Sequence, residues 1–160
     1  MENVHWILIL VFSLMPTVEG RYAIVYGLGV GLNPVYVFTL ASLAIVALGL
    51  ALGLLISYID FLLLGFKDSK YRILRALYNF YEKYLVRVRK RARPYIDKYG
   101  LIGLIIFVAA PLPGTGVWTG ALVSYIFGIE KRRGIIGLTV GGLLSNIIVF
   151  VLVFFFKIIL

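Results

Sequence analysis

Apolar residues run along this chain in long blocks, and the polar positions between them divide it into five segments. Val35 to Ile59 holds 25 residues without a charge, and Gly134 to Phe156 holds 23. Either would cross a hydrocarbon core of about 30 Å, which needs roughly 20 helical residues. Two other apolar segments are interrupted. Val4 to Leu14 rises only about 16 Å as a helix, then meets Pro16, Glu19 and Gly20 before the chain returns through Arg21 to Leu32. Leu101 to Ala110 runs into the Pro-Leu-Pro-Gly-Thr-Gly stretch at 111–116, and Val117 to Ile129 leads back out. Between the halves, Ile73, Leu77, Phe80 or Tyr81, Tyr84 and Val88 recur every three to four residues, which predicts an amphipathic helix. Pro94 is expected to end or kink it.

Composition agrees with a lipid environment. The 160 residues are 62% hydrophobic and 14% charged, with mean hydropathy +1.02. A soluble domain carries about 25% charged residues. The apolar N-terminus lacks the positive flank and small-residue cleavage site of a secretory signal. With no cysteine there is no disulfide, thiolate metal site or thiol nucleophile. The single histidine, His5, stands beside Trp6 and reads as an interfacial residue, since a lone histidine makes no metal site.

Charge placement sets the topology. Eleven of the sixteen Lys and Arg residues lie between Lys67 and Lys98, against only Asp68, Glu82 and Asp97, so that segment holds +8 of the chain's +9. Nucleic-acid binding is one reading of so basic a stretch. In a membrane protein the commoner cause is a cytoplasmic connector on anionic headgroups, and its tyrosines suit that interface. Four ordinary crossings would force the second basic cluster, Glu130 to Arg133, outside, against the positive-inside rule. The conflict vanishes if the first and third apolar segments dip into the bilayer and return. The expected fold is therefore an all-α integral membrane protein of two inverted repeats, each a re-entrant helical hairpin plus a spanning helix, joined by a basic amphipathic helix. Its parts are hairpin 1 (1–33), a spanning helix (34–65), the basic linker (66–99), hairpin 2 (100–129) and a second spanning helix (134–160). The linker and residues 130–133 are expected in the cytoplasm, and both termini outside. Each half makes an odd number of crossings, so consecutive copies are inverted, a recurring transporter plan.

Glu19 and Arg21 then fall at the tip of hairpin 1. A lone charge at the bilayer centre costs about 2.5 to 3.5 kcal/mol on insertion scales. A wet loop outside the membrane is the alternative. At a non-helical turn both side chains can bend into one cavity, and irregular backbone at depth survives only against protein or water. Pro16 and Thr17 belong to this tip. The second tip supplies the opposing wall: Pro111 and Pro113 stop the incoming helix, Gly114 and Gly116 permit the turn, and Thr115 and Thr119 offer hydroxyls. Trp118 stands to stack on a substrate or to pack. Neither glycine-rich stretch is a nucleotide fingerprint. Glycines four apart, as at Gly49/Gly53 and Gly137/Gly141, are expected to pack helices. Asp60, Asn146, Arg132 and Arg133 are secondary polar candidates. Asp60 is expected near the cytoplasmic end of its helix, and Ser145 and Asn146 are expected to bond a neighbouring helix. No nucleophile, base and orienter set can be drawn from these residues, so the chain does not read as an enzyme.

The motifs "PTVEGRYAIVYGLGVG" and "PLPGTGVWTGALVSYIFGI" resemble those of the small multi-drug export protein family. The architecture is more distantly similar to the DedA (VTT) superfamily, whose members pair two re-entrant hairpins and are implicated in moving lipids, some with proton coupling. The resemblance implies a secondary transporter or lipid translocase, and Glu19 matches its acidic residue in the first hairpin. In such a carrier Glu19 is expected to bind the coupling proton and Arg21 to hold an anionic group as a charge-assisted donor, and no cofactor is expected. DedA proteins carry arginines around the second hairpin, whereas here Lys131, Arg132 and Arg133 come only after it. The competing class is a non-transporting membrane scaffold or assembly factor. Expected partners are membrane lipids at the linker and a small-molecule or lipid substrate, with no nucleic acid; a homo-oligomer stays open.

Overall fold

The computed structural model describes residues 2–16, 18–67 and 69–159, so Thr17 of the expected site lies outside the described residues. Among those described there are seven α-helices and no strand: α1 Glu2–Leu14, α2 Glu19–Gly29, α3 Pro34–Leu64, α4 Arg72–Tyr99, α5 Leu101–Ala109, α6 Val117–Ile126 and α7 Lys131–Ile159. Pro34–Leu64 and Lys131–Phe156 are long and apolar enough to cross a bilayer. The other apolar helices are short, with 13, 11, 9 and 10 residues in α1, α2, α5 and α6.

Local chemistry sets the breaks. α3 starts where the Asn33 side chain accepts the Val35 N–H at 3.0 Å and Pro34 occupies the first turn, a favoured start because proline has no N–H to lose. Gly100, with φ 54, turns α4 directly into α5. Of the two effects expected of Pro94, ending α4 or kinking it, the first does not occur: the helix continues through it to Tyr99. Proline forfeits one backbone hydrogen bond, and packing of Ala92 and Ile96 on either side of it holds the helix together.

Two apolar cores result. Ile9, Ala23, Ile24 and Leu28 of α1 and α2 pack on Val37 and Ala41 of α3 and Val149 of α7. Leu104 and Val108 of α5 and Val117 and Ala121 of α6 pack on Ile45 and Leu138. Small residues bring the long helices together: Gly49 meets Thr139 and Gly53 meets Ile135, so α3 and α7 run antiparallel. Gly137 and Gly141 seat α5 through Leu104 and Val108. In lipid, association rests on such close contact, because helix burial from hydrocarbon brings no hydrophobic gain. Gly27 meets Ile9, and Gly120 meets Val108, so each short pair folds back on itself.

The apolar stripe of α4 differs from its expected course. Tyr81, Val88, Ala92 and Ile96 are buried against the second half of the molecule, while Ile73 is 82% exposed and Leu77 and Phe80 are also exposed. The three-to-four spacing continues through both parts, but the protein surface beneath it covers only the later one.

Candidate functional site at the junction of the two helical pairs

The chain between α1 and α2 and the chain between α5 and α6 meet through side chains of Glu19 and Arg21. Glu19 is the first residue of α2 and has φ 56, the only positive φ outside glycine among the described residues. That turn answers the geometric objection to an i, i+2 pair: on a regular helix the two side chains would diverge. Here Arg21 Nη2 donates to Glu19 Oε2 at 3.3 Å, with the residues 6% and 3% exposed.

Both groups reach across to the second pair. Glu19 Oε1 accepts the backbone N–H of Trp118 at 3.1 Å, in the first turn of α6. A carboxylate there satisfies a free N–H and faces the positive end of the helix dipole. Arg21 Nη1 donates to the Ala110 carbonyl at 3.1 Å and lies 3.3 Å from Thr115 Oγ1, and Nη2 donates to the Thr115 carbonyl at 3.1 Å. The Thr115 hydroxyl in turn lies 2.6 Å from the Ala110 carbonyl and 2.7 Å from that of Leu112, closing the 110–116 loop on itself. Gly116, at φ 104, sits directly on the ion pair, so that any Cβ would strike the Glu19 carboxylate and the Arg21 guanidinium.

The other expected residues fall in distinct places. The Trp118 indole N–H donates to the Leu14 carbonyl at 3.1 Å, tying α6 to the end of α1. Thr119 is buried and shares a 2.9 Å hydrogen bond with the Tyr84 hydroxyl of α4. Pro111, Pro113 and Pro16 are exposed. A space of about 100 Å³ lies beside Arg21, against Tyr22, Pro111 and Leu112. Asp60 is buried towards the end of α3 and accepts the Tyr81 hydroxyl proton at 2.7 Å, away from the ion pair. Arg132 and Arg133 are exposed at the start of α7, where Arg133 pairs with Glu130 at 3.6 Å; they do not join the site. His5 bonds the Tyr26 hydroxyl at 2.8 Å.

Asn146 departs from its expected role. It is 1% exposed and packs on Gly20, yet neither its amide oxygen nor its nitrogen has a hydrogen-bond partner among the described residues. Ser145 Oγ is equally unpartnered. Among the described residues these groups do not bond a neighbouring helix. Sequence reading also missed Arg91. From α4 its Nη1 donates to the Pro113 carbonyl at 2.9 Å, so the second loop, which has no arginine of its own, is held by Arg21 on one side and Arg91 on the other. The only sequence signal was the Tyr84, Arg87, Arg91 and Tyr95 row, a one-face spacing indistinguishable there from a solvated basic face.

Among the described residues no group of three metal-ligating side chains comes together. No curated protein and no solved structure matches the chain. One family model does: it covers residues 19–148, from the ion pair of α2 past Asn146, and is described as "Putative small multi-drug export protein". The chain belongs to the small multi-drug export protein family.

Proposed function

We propose that the chain is a proton-coupled membrane transporter, moving a small amphipathic or lipid-phosphate substrate between two re-entrant hairpins, α1–α2 and α5–α6. The family description supports an export role. A membrane location agrees with it and with the two long apolar helices. The re-entrant reading draws support from length: helices of 9 to 13 residues rise about 14 to 20 Å, short of a full crossing. Each half is built as short helix, short helix, long helix, the pattern expected of inverted repeats. The first half of α4, with Ile73, Leu77 and Phe80 exposed among Arg72 and Arg75, suits a cytoplasmic surface of anionic headgroups.

The observation that carries the proposal is the buried Glu19–Arg21 pair bonded to both pairs of short helices. A proton on Glu19 would cancel its attraction for Arg21 and weaken its hold on the first turn of α6. Arg21 would then be free to pair with an anionic substrate group in the space at Pro111 and Leu112. Proton binding at Glu19 would thus favour substrate binding at Arg21, and that linkage is what coupling requires.

The same bonds favour a second reading, a scaffold in which the pair is a fixed lock between the two halves. Reconstitution into vesicles with an imposed pH gradient separates them, using a fluorescent cationic dye and a fluorescent phospholipid analogue as probes. Glu19→Gln is expected to keep the fold, because the amide oxygen can still accept from Trp118, and to abolish gradient-driven movement. Wild-type rates in that variant would remove Glu19 from the mechanism. A scaffold is expected to show no gradient-driven movement of either probe even in the wild type.

A further inference from the structure

The later half of α4 forms one wall of a groove of about 710 Å³ against the 110–116 loop, with Tyr84, Arg87, Lys90, Arg91, Tyr95 and Gly114 among its lining. A second space of about 350 Å³ shares Arg91 and Tyr95 and continues along Phe107, Leu112 and Pro113. Three cations therefore face a common opening, and among the described residues no carboxylate lines either space. Arg87 and Lys90 make no salt bridge among the described residues, and Arg91 is spent only on the Pro113 carbonyl. Arg93, two positions from Arg91, is different: its guanidinium pairs with Asp97 at 3.1 Å. Like charges gathered without a counter-ion repel one another, and a multivalent anion relieves that repulsion while accepting charge-assisted hydrogen bonds. The adjoining space is walled by Tyr95, Phe107 and Leu112, which suit hydrocarbon and not a second charge.

We infer that this groove binds a phosphate-bearing amphiphile, its headgroup on Arg87, Lys90 and Arg91 and its apolar tail along Tyr95, Phe107 and Leu112. The headgroup takes the Arg91 donors that the Nη1 bond to the Pro113 carbonyl leaves free. The binding stands by itself; treating the amphiphile as the transported cargo rests on the proposed function.

Native mass spectrometry of the full chain in detergent tests the binding without any transport step. The probes are dioctanoyl phosphatidic acid, dioctanoyl phosphatidylcholine and inorganic phosphate. One phosphatidic acid is expected to bind per chain in preference to the zwitterionic lipid. Arg91→Gln and Arg87→Gln are each expected to weaken it about tenfold, the scale of one lost charge-assisted contact. Arg93→Gln removes the same charge from α4 outside the groove and is expected to leave binding unchanged. The Arg87 side chain makes no hydrogen bond or salt bridge among the described residues, so its variant stays informative even if Arg91→Gln disturbs the loop. Displacement of the lipid by inorganic phosphate would assign the groove to the headgroup alone, and failure to displace it would assign the groove to the whole lipid; both support the site. Equal weakening by all three variants, or by none, overturns it.

Discussion

The carboxylate of Glu19 caps the N–H of Trp118 at 3.1 Å across 99 residues of sequence. The helix it caps is preceded by Gly116, which has no side chain to perform that task. One acidic group thus closes the first turn of α6, neutralises Arg21 and binds the two halves together, and it does so from a left-handed backbone that costs a non-glycine residue about 1 to 3 kcal/mol. Truncation should expose these roles separately. Glu19→Ala is expected to lower stability by about 1 to 3 kcal/mol, through the lost cap and a buried, unpaired guanidinium. Glu19→Gln should lose less, because its oxygen still caps. Thermal unfolding of both variants in the same detergent measures the difference; equal losses would mean that the cap contributes nothing.

Gly116 is the contact surface for that pair. Gly116→Ala is expected to cost more than about 2 kcal/mol, since a methyl group there adds a collision with Glu19 and Arg21 to an unfavourable φ. Gly128 also has positive φ, 63, but opens onto free space. Gly128→Ala should cost only about 1 kcal/mol. Matched unfolding temperatures for the two alanine variants would argue against a tightly packed joint.

Asn146 should behave unlike an ordinary core residue. A buried amide without partners carries a penalty of about 1 to 3 kcal/mol in proteins. Asn146→Leu, of similar volume, is therefore expected to leave unfolding temperature unchanged or raise it. If the amide serves the neighbouring pair during transport, vesicle uptake falls in the same variant. Reduced stability on this substitution would show that Asn146 has bonds in the resting protein.

The Asp60–Tyr81 bond joins α3 to α4 and has a pH signature. Burial, reinforced by the hydrogen bond to Asp60, pushes the Tyr81 phenol above its ordinary value of about 10. A folded pKa above the unfolded one means that the contribution is complete below pH of about 10 and declines as pH rises beyond it. Tyr81→Phe should therefore cost about 1.5 to 3 kcal/mol, constant between pH 7 and 9. The gap to wild type should narrow above pH of about 10. Unfolding followed across alkaline pH checks this; a gap that widens there would reverse the assigned direction.

The long helices and the interruptions between the short ones were legible because charge-free runs and prolines act locally. Glu19 and Arg21 stood out for the same reason, as charges in an apolar setting. Their partners did not. That Trp118 offers its N–H to Glu19, or that Arg91 reaches Pro113, depends on how α4 and α6 lie in space, which no periodicity encodes. The linker's stripe was visible, but only tertiary packing determines that Val88 and Ile96 are covered while Ile73 is not. That α4 does not end at Pro94 depends on tertiary packing around it, which a proline's local preference does not encode.

In the proposed arrangement α1–α2 and α5–α6 enter from opposite leaflets and join at Glu19 and Arg21. The absence of native cysteine makes a two-sided labelling test clean. Single cysteines at Asn33, Arg89 and Arg132, placed in intact cells, report the connection after α2, the linker and the start of α7. An impermeant maleimide added outside is predicted to label Asn33→Cys alone, with Arg89→Cys and Arg132→Cys reacting only after the membrane is opened. External labelling at Arg132→Cys would mean that the α5–α6 segment runs through the bilayer, and the account would fail.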